Sequence, residues 1–94
     1  MTTAVQKASL SAIFNALGDG TRYKIVSLLL KDSTLCVSEV AARVGISTAG
    51  VSQHMKILEK VGLVKPLRNG QKICYQVGEA RGHARAVFNL MGEE

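Results

Sequence analysis

Two helical segments between Ser38 and Val61 are separated by almost no chain. Ser38 caps the first, and Glu39 stands in its opening turn, where the helix dipole favours an anion. Gly45 tolerates the left-handed backbone that ends helices, and only Ile46 intervenes before Ser47, the cap of a second helix reaching about Val61. Helices joined by so tight a turn must cross steeply, which is the helix-turn-helix arrangement; its second helix is the one offered to a DNA groove. With Val51, Met55 and Leu58 facing a core, Thr48, Ala49, Ser52, Gln53 and Lys56 fall near the opposite face or its edges.

The flanking pattern completes a small fold. From about Val5 to Leu17, the residues Leu10, Ile13, Phe14 and Leu17 recur at i, i+3, i+4, i+7, an amphipathic helix ended by Gly18. Asp19 caps a helix over Thr21 to Lys31, with Tyr23, Val26, Leu29 and Leu30 on one side. Leu35-Cys36-Val37 reads as a brief strand. After Gly62, the runs Leu63 to Arg68 and Lys72 to Val77 flank Asn69-Gly70, a dipeptide suited to a type I′ hairpin. Pairing Arg68 with Gln71 sets Pro66 opposite Ile73, so the first of these strands belongs at the edge, where a missing N–H is tolerated, and the second has a free side for Leu35 to Val37. Ala80, Ala84, Val87, Phe88 and Met91 form a last helical stripe ending near Gly92. The expected fold is a winged helix-turn-helix, mainly α with a small β-hairpin wing: about five helices, a short strand and a two-stranded wing, in one domain over residues 1–94 with dimerisation helices at both ends.

Charge narrows the partners. Twelve Lys and Arg against seven Asp and Glu leave +5. Arg43, Lys56, Lys60, Lys65, Arg68 and Lys72 against the single acid Glu59 place that excess between Arg43 and Lys72. Basic residues spread over several elements suit a phosphate backbone better than a membrane, which calls for one basic face on one segment. No apolar run is long enough to span a bilayer, and no basic segment followed by an apolar stretch opens the chain, so the sequence reads as cytoplasmic. Catalysis has little support: neither His adjoins a nucleophile, no carboxylates are paired, and there is no glycine-rich phosphate loop or call for a cofactor.

Phe14-Asn15-Ala16-Leu17-Gly18-Asp19-Gly20-Thr21-Arg22, Leu35 through Ala41, Val51 through Leu58 with Gly62-Leu63-Val64, and Gly70 through Tyr75 resemble the ArsR/SmtB repressors over roughly residues 10 to 77. The resemblance implies a homodimeric repressor that occupies an operator and leaves when an inducer binds. Gly20 departs from it, since the family usually starts its second helix with proline. The sensing residues depart further. Cys36-Val37-Ser38 keeps only the first of the family's paired cysteines. On the last helix Arg81-Gly82-His83, leading to Glu94, has arginine where the family's metal site has a carboxylate, so no metal site is expected.

The expected DNA contacts are Ser47, Thr48, Ala49, Ser52, Gln53, His54 and Lys56 on the recognition helix and Arg68, Gln71 and Lys72 at the wing. Thr48, Ser52 and Gln53 are the base-edge candidates, Gln53 being able to pair bidentately with adenine; Lys56, Arg68 and Lys72 are suited to phosphates. His54 sits between the two faces and fits a structural hydrogen bond or a phosphate contact. Gly50 is costly inside a helix, and close approach to a phosphate is one reason to keep it. Leu10, Ile13, Phe14, Leu17, Ala84, Val87, Phe88 and Met91 are expected to meet in a two-fold dimer, which sets two recognition helices one DNA turn apart on a near-palindromic operator.

Alternation turns Leu35, Val37, Ile73, Tyr75 and Val77 inward, and Cys36 and Cys74 outward on one face, as cross-strand neighbours about 4.5–5.5 Å apart at Cα. They are either a thiol pair open to oxidation or to bridging by arsenite, or two unreactive small residues. A winged helix that docks on protein or RNA is the competing class. The polar, basic helix face disfavours the first, and an inward Tyr75 disfavours stacking on the second.

Overall fold

The computed structural model describes residues 8–93. Five helices and three strands follow in the order α1 (Leu10–Leu17), α2 (Gly20–Asp32), β1 (Thr34–Cys36), α3 (Val37–Val44), α4 (Thr48–Lys60), β2 (Val64–Asn69), β3 (Lys72–Val77) and α5 (Gly82–Gly92). This is the winged helix-turn-helix order. Of the first expected helix, the part before Ala8 lies outside the described residues.

Side-chain caps set the helix starts. Ser9 accepts from the Ala12 N–H, Asp19 from Arg22 and Ser47 from Gly50, each filling one of the donors that a helix N-terminus leaves open. At α3 the cap differs from expectation. Cys36, not Ser38, is the N-cap, and Val37 is the first helical residue instead of a strand residue. The cause is Glu39, whose carboxylate reaches back to accept the Cys36 N–H at 2.8 Å. The last helix likewise starts later than its stripe, with Arg81 as N-cap and Ala80 ahead of it.

The strands form one antiparallel sheet in the order β1-β3-β2, which leaves the Pro66 strand at the edge. The wing register differs by two residues from that expected. Asn69 pairs with Lys72, Arg68 with Ile73 and Pro66 with Tyr75, so Arg68 is not opposite Gln71, nor Pro66 opposite Ile73. Gly70 and Gln71 are then the two turn residues, and of them only Gly70 has a positive φ, 65°. Glycine at the first central position is the type II′ solution, which spares Gln71 a left-handed backbone. A shift of two preserves the face of every side chain.

The core is a single cluster to which every helix contributes. Ile25, Val26 and Leu29 of α2 and Val51, Met55 and Leu58 of α4 are at most 1% exposed, with Val40, Leu63 and Val64 beside them. Ile13 of α1 and Val87 and Phe88 of α5 are also buried in this chain's own core. That corrects the expectation that they would be left for a partner. The large apolar side chains left outside on these helices are Leu10, Phe14 and Leu90, at 39%, 53% and 61% exposure.

Alternation along β3 fails at Ile73 and Cys74. Tyr75 and Leu35 point inward as expected, but Ile73 is exposed and Cys74 is buried at 3%. Ile73 lies beside the turn, beyond the reach of the core, whereas Cys74 is covered because it pairs with Cys36 across the sheet and is joined to it as a disulfide. The bridge closes 38 residues of sequence, and restricting the unfolded chain to that loop stabilises the fold by about 4 kcal/mol in the chain-entropy account. Reduction is therefore expected to move the urea midpoint down. Coincident midpoints with and without dithiothreitol would show that the bridge contributes nothing.

Candidate nucleic-acid interface

The turn between α3 and α4 is closed by backbone bonds, with Ile46 packed against the core. Gly45 is left-handed at φ 78°, and the Gly45 and Ile46 N–H groups both donate to the Ala41 carbonyl, at 2.8 and 3.2 Å. Ser47 then opens α4, its Oγ accepting from Gly50 at 3.0 Å. A side chain at Gly50 would start 3.3 Å from that Oγ and 3.5 Å from Ile46, so crowding of the cap is a local reason for glycine there that the sequence did not show.

From this start, Val51, Met55 and Leu58 enter the core completely, which fixes the rotation of α4. Thr48, Ala49, Gln53 and Lys56 are consequently exposed, together with Ser47, while Ser52 and His54 are partly covered at the edges of that face. Arg68, Gln71 and Lys72 are exposed at the far end of the wing, with Gln71 in the turn itself. Of the basic residues between 43 and 72, Arg43 is set apart by an ion pair with Asp32 at 3.0 Å. Lys56, Lys60, Lys65, Arg68 and Lys72 are exposed.

His54 is tied into the protein. Arg22 Nε donates to the Ala16 carbonyl at 2.7 Å, and its terminal nitrogen lies 3.3 Å from His54 Nδ1. A guanidinium has only donors, so Nδ1 accepts and the ring proton sits on Nε2. Arg22 thus links the end of α1, the start of α2 and α4, a role that no local sequence signal revealed because its partners are 6 and 32 residues away. Asp19 belongs to the same corner. The Arg22 N–H bonded to its carboxylate, aided by the Arg22 charge, holds its pKa below the usual 3.8.

No three His, Cys, Asp or Glu side chains converge among the described residues. Arg81, in the position of the missing carboxylate, is paired with Glu79, and His83 is exposed; Glu94 lies outside the described residues. Tyr75 is buried, and burial followed by the Glu59 charge raises its pKa, so its ring is not offered to a base.

Residues 19–65 match the model of the bacterial regulatory proteins of the arsR family. The chain belongs to the arsR family. The matched part runs from α2 through β1 and the helix-turn-helix to the first two residues of β2. A cadmium resistance transcriptional regulatory protein, the CadC homolog of Staphylococcus aureus, is 36% identical over 67 residues, 71% of this arsR-family chain and 55% of that protein. The chain thus spans little more than half the length of that relative. Among solved structures, reduced HlyU from Vibrio cholerae is similar at a TM-score of 0.77 and 26% identity, covering 88% of this chain and 84% of that one. The homodimeric winged helix-turn-helix DNA-binding domain of a possible ArsR-family regulator from Mycobacterium bovis shares the fold at a TM-score of 0.75. It is 24% identical, with 89% of this chain and 72% of that one covered. The family and the Staphylococcus aureus relative are transcriptional regulators, not enzymes.

The lowered Asp19 pKa has a definite sign. The native state favours the carboxylate, so its contribution is complete above the unfolded value and is lost as pH falls through the lower native value. Wild type and Asp19→Ala are expected to differ in melting temperature at neutral pH and to converge on acidification below pH 3.8. A difference that stays constant across that range would remove the carboxylate from the account.

Proposed function

We propose that this chain is a sequence-specific, double-stranded DNA-binding transcriptional repressor that acts as a homodimer on a near-palindromic operator. The observation that carries the reading is α4 itself: one face fully buried through Val51, Met55 and Leu58, the other exposed and polar or basic through Thr48, Gln53 and Lys56. A helix so presented from a helix-turn-helix fits the major groove, where its first residues meet base edges. Ser47, Thr48, Ala49, Ser52 and Gln53 occupy that end of α4. Lys56 and the wing residues Arg68, Gln71 and Lys72 are assigned to the sugar-phosphate backbone. His54, with Nδ1 accepting from Arg22, has Nε2–H left as a donor, which suits a phosphate oxygen.

The homodimer rests on what α1 and α5 leave uncovered. Leu10, Phe14 and Leu90 are exposed, and Phe14, Leu17, Leu90 and Met91 line one shallow apolar depression with Tyr23 and Val87. A second copy covering this patch about a two-fold axis brings the two recognition helices into the spacing of successive major grooves. Ile13, Val87 and Phe88 contribute from beneath, by holding α1 and α5 in place, and Ala84 lies partly covered on the same helix. The structure described for the Mycobacterium bovis regulator, itself homodimeric, supports the same assembly.

Binding isotherms on a selected operator and on scrambled duplexes test the reading. Gln53→Ala is expected to lose about 1–3 kcal/mol on the operator and little on scrambled DNA, whereas Lys56→Ala weakens both alike. Equal losses for Gln53→Ala on both duplexes would end its base-reading role, and retention of RNA or protein ligands in place of duplex DNA would favour a docking module. Phe14→Glu is expected to give a particle of 10.0 kDa by light scattering where the wild type gives twice that mass. A monomeric wild type would refute the dimer.

A further inference from the structure

The disulfide has a position that ties two parts of the proposed interface together. Cys36 is both the last residue of β1 and the N-cap of α3, the first helix of the helix-turn-helix. Cys74 lies in β3, the central strand of the sheet. The β1–β3 ladder has three pairs, Thr34 with Gln76, Leu35 with Tyr75 and Cys36 with Cys74, and the cysteine pair is the one nearest the wing tip. Beyond it, Lys72 and Ile73 pair only with β2, so the hairpin carrying Arg68 and Lys72 projects from the bridge itself.

We propose that Cys36 and Cys74 are a reversible dithiol–disulfide site, oxidised by hydroperoxides and reduced by dithiols, that sets how firmly the wing is held against the helix-turn-helix. The two sulfurs differ in access. Cys36 is partly exposed and Cys74 is buried, so an incoming reagent meets Cys36 first. In the reduced protein the thiolate of Cys36 is the nucleophilic form. Its thiolate attacks one peroxide oxygen. The O–O bond breaks, leaving Cys36 as the sulfenic acid, and the departing alkoxide or hydroxide takes up a proton. The Cys74 sulfur, directly opposite, then attacks Cys36 Sγ, the S–O bond breaks, and water leaves with the Cys74 proton. For reduction, one thiolate of an external dithiol attacks Cys36 Sγ and releases Cys74, which is protonated. The second thiol of the reductant then displaces Cys36 and becomes oxidised in its place.

The consequence for DNA rests on the repressor reading above. An anchored hairpin has less freedom to lose when Arg68 and Lys72 settle on phosphates, so the oxidised form binds more tightly. Reduction is expected to weaken operator affinity by about three- to tenfold, the scale of one or two side chains to be ordered on binding.

The test compares the wild-type protein fully oxidised and fully reduced. Hydrogen exchange of the β3 amides is expected to be faster in the reduced form while α4 is unchanged, and operator affinity is expected to fall with it. In Cys74→Ser, hydrogen peroxide should leave a sulfenic acid on Cys36 that a 1,3-dione probe captures, whereas Cys36→Ser should leave Cys74 unlabelled. Equal β3 exchange in both wild-type redox states, bridging between chains, or equal labelling of the two thiols would overturn the proposal. If β3 exchange follows redox state but neither form binds any duplex, the redox coupling stands and the DNA-binding reading falls.

Discussion

The burial of Val51, Met55 and Leu58 is the interaction on which the other features depend. These three side chains are wholly inside the same core as Ile25, Val26 and Leu29 of α2, and they leave α4 no freedom to rotate. A helix fixed in this way has its other face chosen for it: Thr48, Gln53 and Lys56 must point to solvent. The short turn at Gly45 and Ile46 then sets the angle at which that face leaves the body of the protein. Arg22 adds a polar tie from α2 to His54, so the recognition helix is held by packing on one side and by a hydrogen bond at its edge.

The wing is positioned by different means. It has little core of its own, since β2 is buried only at Val64, and Leu67 and Ile73 are exposed. What fixes it is its base: the short ladder to β1 and the bridge from Cys74 to the N-cap of α3. The recognition helix is thus placed by the hydrophobic core, and the wing by a covalent bond and three strand pairs. Two parts of one surface are thus held by different means, and the bridge meets both, since Cys36 also caps α3.

Much of this is legible in the residues because it depends on local pattern. The i, i+3, i+4 spacing of α4, the glycine and serine at its turn, and Pro66 on an edge strand each identify their place without reference to distant chain. The differences fall where particular contacts decide. Cys36 takes the cap from Ser38 because Glu39 reaches back to it, and the hairpin turns at Gly70-Gln71 instead of Asn69-Gly70 because Gly70 fits a turn with one left-handed residue. Alternation puts Cys74 outside and Ile73 inside, but burial there depends on the partner across the sheet and on distance from the core, not on parity alone. In the same way, the stripes of α1 and α5 suggest surfaces for another chain, while Ile13, Val87 and Phe88 complete this one; Leu90, outside the stripe, is the most exposed large apolar residue among those described.

The most direct test of the account follows backbone amide resonances while an operator duplex is added to the oxidised protein. If α4 enters the groove with its polar face, the largest shifts fall on residues 47 to 56 and around the wing turn at 68 to 72, with core residues such as Leu29 and Leu58 little changed. Shifts confined to α1 and α5, with residues 47 to 56 unmoved, would contradict it.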